Sequence, residues 1–197
     1  MAQELKFKVA VIGGGPAGCI CAYFLQNHFD VTVFDYSSPL RTLLPTGGGR
    51  CNLAHAEYDF KELAKYYPRG EKFLYSVFSN FCTSNTIDFF EKIGVQTYIQ
   101  DDMRIFPVSN SSKDVREKFL KALNKVKFVK AKVTEINEAF IVSTDTGNYN
   151  FDYVVISIGG HSSYRMIKKT GHNIIEPKPA LAGLKTKEDF STLSGVT

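Results

Sequence analysis

At 197 residues the chain is long enough for one well-buried domain, with at most a fragment of another. Hydrophobic residues make up 44% and charged residues 22%, a globular balance that argues against disorder, and the net charge of +4 is spread too thinly to suggest nucleic acid. No apolar stretch reaches membrane-spanning length and no signal-type apolar segment precedes the first strand, so a cytoplasmic protein is expected.

Residues 7–35 carry the densest information. An apolar run over 7–12 meets Gly13-Gly14-Gly15-Pro16-Ala17-Gly18, followed by an apolar-periodic helix to about residue 27 and a β-rich run over 31–34 that ends on Asp35. Strand, glycine turn, helix, strand and acid make the βαβ dinucleotide fingerprint, with G-x-G-x-x-G at 13, 15 and 18. Gly13 permits the turn, Gly15 lets a pyrophosphate approach bare backbone, and Gly18 allows close helix–sheet packing. Pro16 suits a first helical turn, and the helix N-terminus offers free N–H groups and partial positive charge to phosphate. Asp35 is placed to accept hydrogen bonds from a ribose diol and would repel a 2′-phosphate, which disfavours NADP at this site.

A loop at 36–39 leads to Thr46-Gly47-Gly48-Gly49-Arg50-Cys51-Asn52. Three bare residues followed by Arg50 suit a flat or anionic ligand and form a second wall of the same site. Residues 59–94 read as three helices, the middle one with a Phe73, Leu74, Val77, Phe78 and Phe81 stripe expected in the core, the third opened by Thr83 or Ser84 and closed by Gly94. Short strands over 95–99 and 103–107 are expected to pair antiparallel. A helix capped within 109–112 turns Val115, Phe119, Leu120 and Leu123 inward and its lysines to solvent. Three β segments follow at 127–136, 140–144 and 149–151, with a turn at 145–148. The apolar run at 153–158 reads as a strand buried on both faces, ending on Gly159-Gly160 at the carboxyl edge where open α/β sheets bind ligands. A helix over 162–169 is expected next.

Cys19, Cys21, Cys51 and Cys82 show neither CxxC nor zinc spacing, so reduced thiols and no metal are expected. Cys51, His55 and His161 flank the glycine loops and are the weak candidates for redox or proton transfer, each more economically read as packing or an ordinary polar contact.

With GGGPAG at 13–18, RTLLPTGGGRCNL at 41–53, RIFPVS at 104–109, ISIGG at 156–160 and TGH with PALAGL over 170–184, the chain resembles the N-terminal half of the BaiN-like, or aminoacetone-oxidase-family, FAD-binding flavoproteins. The resemblance implies a Rossmann-type FAD-binding α/β domain, a parallel sheet with a β-meander crossover. It also implies FAD as cofactor, NAD(P)H as a possible reductant and a small-molecule substrate. Gly13, Gly15 and Ala17 would meet the pyrophosphate, with Ile12, Pro16 and Gly18 in the same turn. Asp35 and Tyr36 would lie at the adenosine ribose, Arg41 beside the adenosine, and Val133 would touch adenine through its backbone. Thr46, Gly47, Gly48, Gly49, Arg50, Cys51 and Asn52 would run along the ribityl and flavin, and Gly159 and Gly160 would cover the diphosphate. Two features depart from the family: residues 157–165 replace a glycine- and aspartate-rich segment, and members are about twice this length. The implied division is a dinucleotide domain over 1–180, with a helical excursion over about 55–125, and an incomplete inserted β domain begun by 181–197. The activity implied is an FAD-dependent oxidoreductase; a catalytically inert nucleotide-binding module and an NAD-dependent dehydrogenase are the alternatives.

Overall fold

The computed structural model describes residues 6–160, 164–178 and 187–189. Strand β1 (Lys8–Ile12) lies between β2 (Asp30–Asp35) and β10 (Tyr153–Ile156), with β6 (Lys127–Lys130) outside β2. All three pairings are parallel. Val9, Ala10, Val11 and Ile12 are each buried, as a central strand covered on both faces requires. Alternate residues feed two apolar layers. Val9, Val11, Val31 and Val33 pack with Cys19 and Ala22 of α1 (Pro16–Leu25), and with Phe89, Phe90 and Phe119 from later helices. Ala10, Ile12 and Phe34 point the other way, toward Ala131, Ile136 and Val142.

That second layer belongs to an antiparallel meander of β7 (Val133–Ile136), β8 (Ile141–Thr144) and β9 (Asn148–Asn150). Phe34 makes T-shaped contacts with Tyr149 and Phe151, ring centroids 5.2 and 5.7 Å apart. The single strand expected over 127–136 is two. The Ala131 N–H donates to the Asp35 carbonyl and the Lys132 N–H to the Asp145 carboxylate, so the chain leaves the parallel sheet there and enters the meander.

Between β2 and β6 the chain makes its helical excursion. A second sheet has the order β3 (Ala54–His55), β5 (Arg104–Pro107), β4 (Thr97–Ile99), all antiparallel. Helix α2 (Phe60–Lys65) is capped by Asp59, whose carboxylate accepts from the N–H groups of Lys61 and Glu62. Helix α5 (Ser112–Ala122) is capped by Ser111 and buries Val115 and Phe119, as expected.

Two expectations about α3 (Glu71–Asn80) and α4 (Thr83–Lys92) need correction. Within α3 the stripe is not core: no α3 residue is buried and Phe73 stands 75% exposed, and only Phe81, just past the helix, packs against the main core beside Phe24. The helix rests on α2 and the segment after it, with Tyr67 against Phe78. Periodicity marks a helix face without saying whether anything covers it. Helix α4 takes neither Thr83 nor Ser84 as its N-cap. The N-cap is Cys82, its N–H bound by the Asn85 side chain, while the Thr83 hydroxyl donates to the His55 carbonyl.

Strand β10 ends at Ile156, sooner than expected, and is an edge strand among the described residues. Val155 packs against one apolar layer and Val154 and Ile156 against the other, so both faces are covered as expected, but the edge position leaves Tyr153 50% exposed and Val154–Ile156 only half-buried. The helix expected over 162–169 is a short α6 (Arg165–Lys168), and residues 161–163 lie outside the described residues.

Candidate functional site

The end of β1 turns on Gly13, whose φ of +105° suits glycine, and whose missing Cβ would overlap the Ser157 carbonyl. Its N–H donates to the Phe34 carbonyl at 2.8 Å. The next residue is held on both sides: Gly14 N–H donates to Asp35 Oδ2 at the end of β2 at 2.7 Å, and the Gly14 carbonyl accepts from the Leu40 N–H at 2.7 Å. Gly15 follows in ordinary extended backbone (φ −73°, ψ −177°) as the N-cap of α1. No side chain of the described residues caps this helix end, no acid occupies the first turn, and Pro16 opens it. Among the described residues, the only atom close to a Cβ built on Gly15 is Thr42 Oγ1 at 3.7 Å. Uncapped first-turn N–H groups beside open backbone form an anion cradle. Gly18, one turn on, is the opposite case: it is buried, and its missing Cβ would collide with the Gly13 carbonyl and approach Ser157 Oγ to 2.6 Å.

Asp35 is fixed rather than free. Oδ1 accepts from the Ser37 N–H and hydroxyl at 2.7 and 2.8 Å, and Oδ2 from Gly14. A carboxylate offers about four acceptor positions, so one remains for a sugar hydroxyl. Tyr36 is exposed beside it, and Val133 is half-buried at the start of β7.

The second glycine cluster is tied to the first through buried Leu40, at φ +57°, whose N–H makes the Gly14 bond. Short 3-10 turns follow at Arg41–Leu43 and Thr46–Gly49. Arg41 is exposed. Gly47, Gly48 and Gly49 are all left-handed, at φ +57°, +66° and +86°. A Cβ on Gly47 would meet Asn52 N at 2.7 Å and Phe106 Cε1 at 2.9 Å, whereas one on Gly48 would meet nothing within 4 Å. Gly47 is therefore bare for packing, whereas at Gly48 the left-handed backbone itself calls for glycine and the space beside it is open among the described residues. The Arg50 guanidinium lies over the Phe106 ring at 4.1 Å, its Nε donating to the Gly47 carbonyl, which holds a cation at the rim of the loop. Thr46 donates its hydroxyl to the Leu43 carbonyl and accepts the Cys51 N–H. Past β10, Gly159 (φ +72°) and Gly160 have no described residue where their side chains would stand, and Tyr164 donates to the Gly159 carbonyl.

The weak catalytic candidates fare differently. Cys51 is buried at φ +67°, and burial pushes its thiol above the ordinary range. Cys19, under α1, is pushed up to about 12 by burial and then by the charge of Asp35. Raised thiol pKa values mean less thiolate at a given pH, with reactivity returning only as pH climbs. In the folded protein near pH 8, a thiol-reactive dye is expected to spare Cys19 and Cys51 and to label them on denaturation; rapid native labelling of Cys51 would contradict this packing. His55 sits in β3 with its ring 5.4 Å from Tyr66, a structural berth. His161 lies outside the described residues. Among the described residues no group of three or more His, Cys, Asp or Glu could hold a metal, and no helix is long and apolar enough to cross a membrane.

Sequence reasoning passed over Ser37, Thr42, Phe106 and Ser157. The available signal for Ser157 was its place as the first polar residue after the apolar β10 run. The residues present fit a dinucleotide: a free helix end with open backbone, a carboxylate at the tip of β2, and bare backbone beyond.

The family described as HI0933-like protein Rossmann domain matches residues 7–197. The chain is 26% identical, over an aligned length of 209, to the 3-dehydro-bile acid delta(4,6)-reductase of Clostridium scindens. That alignment covers 96% of this chain and 50% of the relative, so the chain spans about half the length of that curated relative. The crystal structure of Thermovibrio ammonificans THI4 aligns with a TM-score of 0.50 at 12% identity, over 85% of this chain and 64% of that one, which shows a shared fold.

Proposed function

The chain belongs to the HI0933-like Rossmann-domain family across residues 7–197, and from that premise we propose that it is the FAD-binding part of a flavin-dependent oxidoreductase. The observation that carries this is the uncapped N-terminus of α1 at open Gly15, with Asp35 anchored beside it. The α1 end would hold the diphosphate against the N–H groups of its first turn, and Asp35 would accept from the adenosine ribose. Thr42 Oγ1 faces the same cradle. Gly48 would let a flat ring system approach the backbone, and Arg50, steadied by Phe106, would place positive charge beside it.

When bound, FAD would supply the hydride and electron chemistry, accepting from NAD(P)H or a small organic molecule. The protein's own part is to bind, orient and electrostatically bias the cofactor. Residues 1–180 are assigned to the dinucleotide domain and 181–197 to the beginning of a further β domain. Reduced cysteines support a cytoplasmic setting.

Purification tests the reading directly. A yellow protein whose colour bleaches with NAD(P)H under anaerobic conditions is the expected result. Bound FAD that no reductant bleaches would leave a binding module without turnover, and a colourless protein that binds NAD would point to a dehydrogenase instead.

A further inference from the structure

The peptide joining Gly13 to Gly14 stands directly before the Gly15 cradle and is gripped at both ends. Its N–H, on Gly14, donates to Asp35 Oδ2 at 2.7 Å. Its carbonyl, on Gly13, accepts from Ser157 Oγ at 2.9 Å. The Ser157 hydroxyl also lies 3.0 Å from the Ile12 carbonyl, and the Ser157 N–H donates to that same carbonyl at 2.8 Å. Ser157 thus comes from just past the end of β10, 144 residues away, and locks onto the turn leaving β1. Its Oγ further lies 2.6 Å from where a Gly18 Cβ would stand, so the hydroxyl occupies space that α1 leaves free only because residue 18 is glycine.

A peptide is planar, and its N–H and carbonyl point in opposite directions. With glycine on both sides, rotating the whole plane meets little steric resistance, because neither flanking residue has a Cβ to forbid the alternative. Hydrogen bonds must therefore set the orientation. Asp35 secures one end of the plane, and Ser157 is the side chain securing the other.

We infer that Ser157 is a positioning residue for the dinucleotide diphosphate, fixing the Gly13–Gly14 peptide so that the N-terminal end of α1 presents its N–H groups to phosphate. This rests on the cofactor reading above. Ser157 touches no phosphate; it acts through the peptide it shares with Asp35, so the two residues are energetically coupled in binding.

The test is FAD affinity of cofactor-stripped protein, read from quenching of flavin fluorescence, for wild type, S157A, S157T, D35N and the S157A/D35N double variant, with thermal unfolding of each cofactor-free protein alongside. S157A is expected to weaken FAD about tenfold, as one lost hydrogen bond to a backbone carbonyl implies. S157T, which keeps the hydroxyl, should restore binding to within about threefold. In the D35N background the grip on the peptide is weakened, because one neutral amide oxygen must serve the donors of both Gly14 and Ser37, so S157A should cost clearly less than tenfold. A wild type that binds no FAD overturns the cofactor reading and this inference with it. A wild type that binds FAD while S157A binds equally well overturns the inference alone. So does strict additivity of S157A and D35N, or an affinity loss matched by unfolding of the cofactor-free S157A protein, since either would reduce Ser157 to general packing.

Discussion

Gly15→Val is expected to leave the cofactor-free protein folded while taking away its dinucleotide. The backbone at Gly15 (φ −73°, ψ −177°) is one any residue adopts, and among the described residues a Cβ there meets only Thr42 Oγ1, at an ordinary 3.7 Å. Valine is a poorer N-cap than glycine, a penalty of at most about 1 kcal/mol on α1. The branched side chain would, however, fill the volume in which a diphosphate lies against the first-turn N–H groups. Losing two charge-assisted hydrogen bonds of that kind costs about 3 kcal/mol or more, on the order of 100-fold in affinity. Thermal unfolding of stripped protein together with FAD titration separates the two effects. Retained yellow colour in the Gly15→Val protein would show that phosphate does not sit at this helix end.

Gly18→Ala, three residues later in the same motif, is expected to fail for the opposite reason. The added methyl would overlap the Gly13 carbonyl, crowd Ser157 Oγ at 2.6 Å and press on Val11 Cγ1 at 3.1 Å. Two of these neighbours belong to the buried end of β1 and its turn, so relief requires α1 to lift from the sheet. Overpacking against backbone costs about 3 kcal/mol, which for a chain of this size lowers the melting temperature by roughly 10 °C. Calorimetry of the cofactor-free variant measures it. Unchanged melting would mean that α1 does not pack as closely as these contacts require. The pair of substitutions distinguishes a glycine kept bare for a ligand from one kept bare for the fold.

Much of this architecture was legible beforehand because it is written in short-range pattern. The apolar run before Gly13, the helix after Pro16 and the acid at Asp35 predict β1, α1 and β2 closely, since strand burial and helix start signals act within a few residues. The Ser111 cap and the inward face of α5 were legible for the same reason. The stripe on α3 was misjudged because its period is the same whether a neighbouring layer covers it or not. The division of 127–136 into two strands was invisible because β-branched residues suit either sheet, and only the bonds to Asp35 and Asp145 decide where the chain changes partner.

Local chemistry alone dictates that a glycine turn joins a buried strand to a helix here, and that an acid stands at the tip of the following strand. Which glycine leaves open space and which makes a close contact, and how the peptide between Gly13 and Gly14 is oriented, were settled only by the tertiary structure that brings β10 beside β1. The reason is distance along the chain: the hydroxyl that grips Gly13 arrives from a residue 144 positions away, and no pattern within a strand or helix encodes a partner that remote.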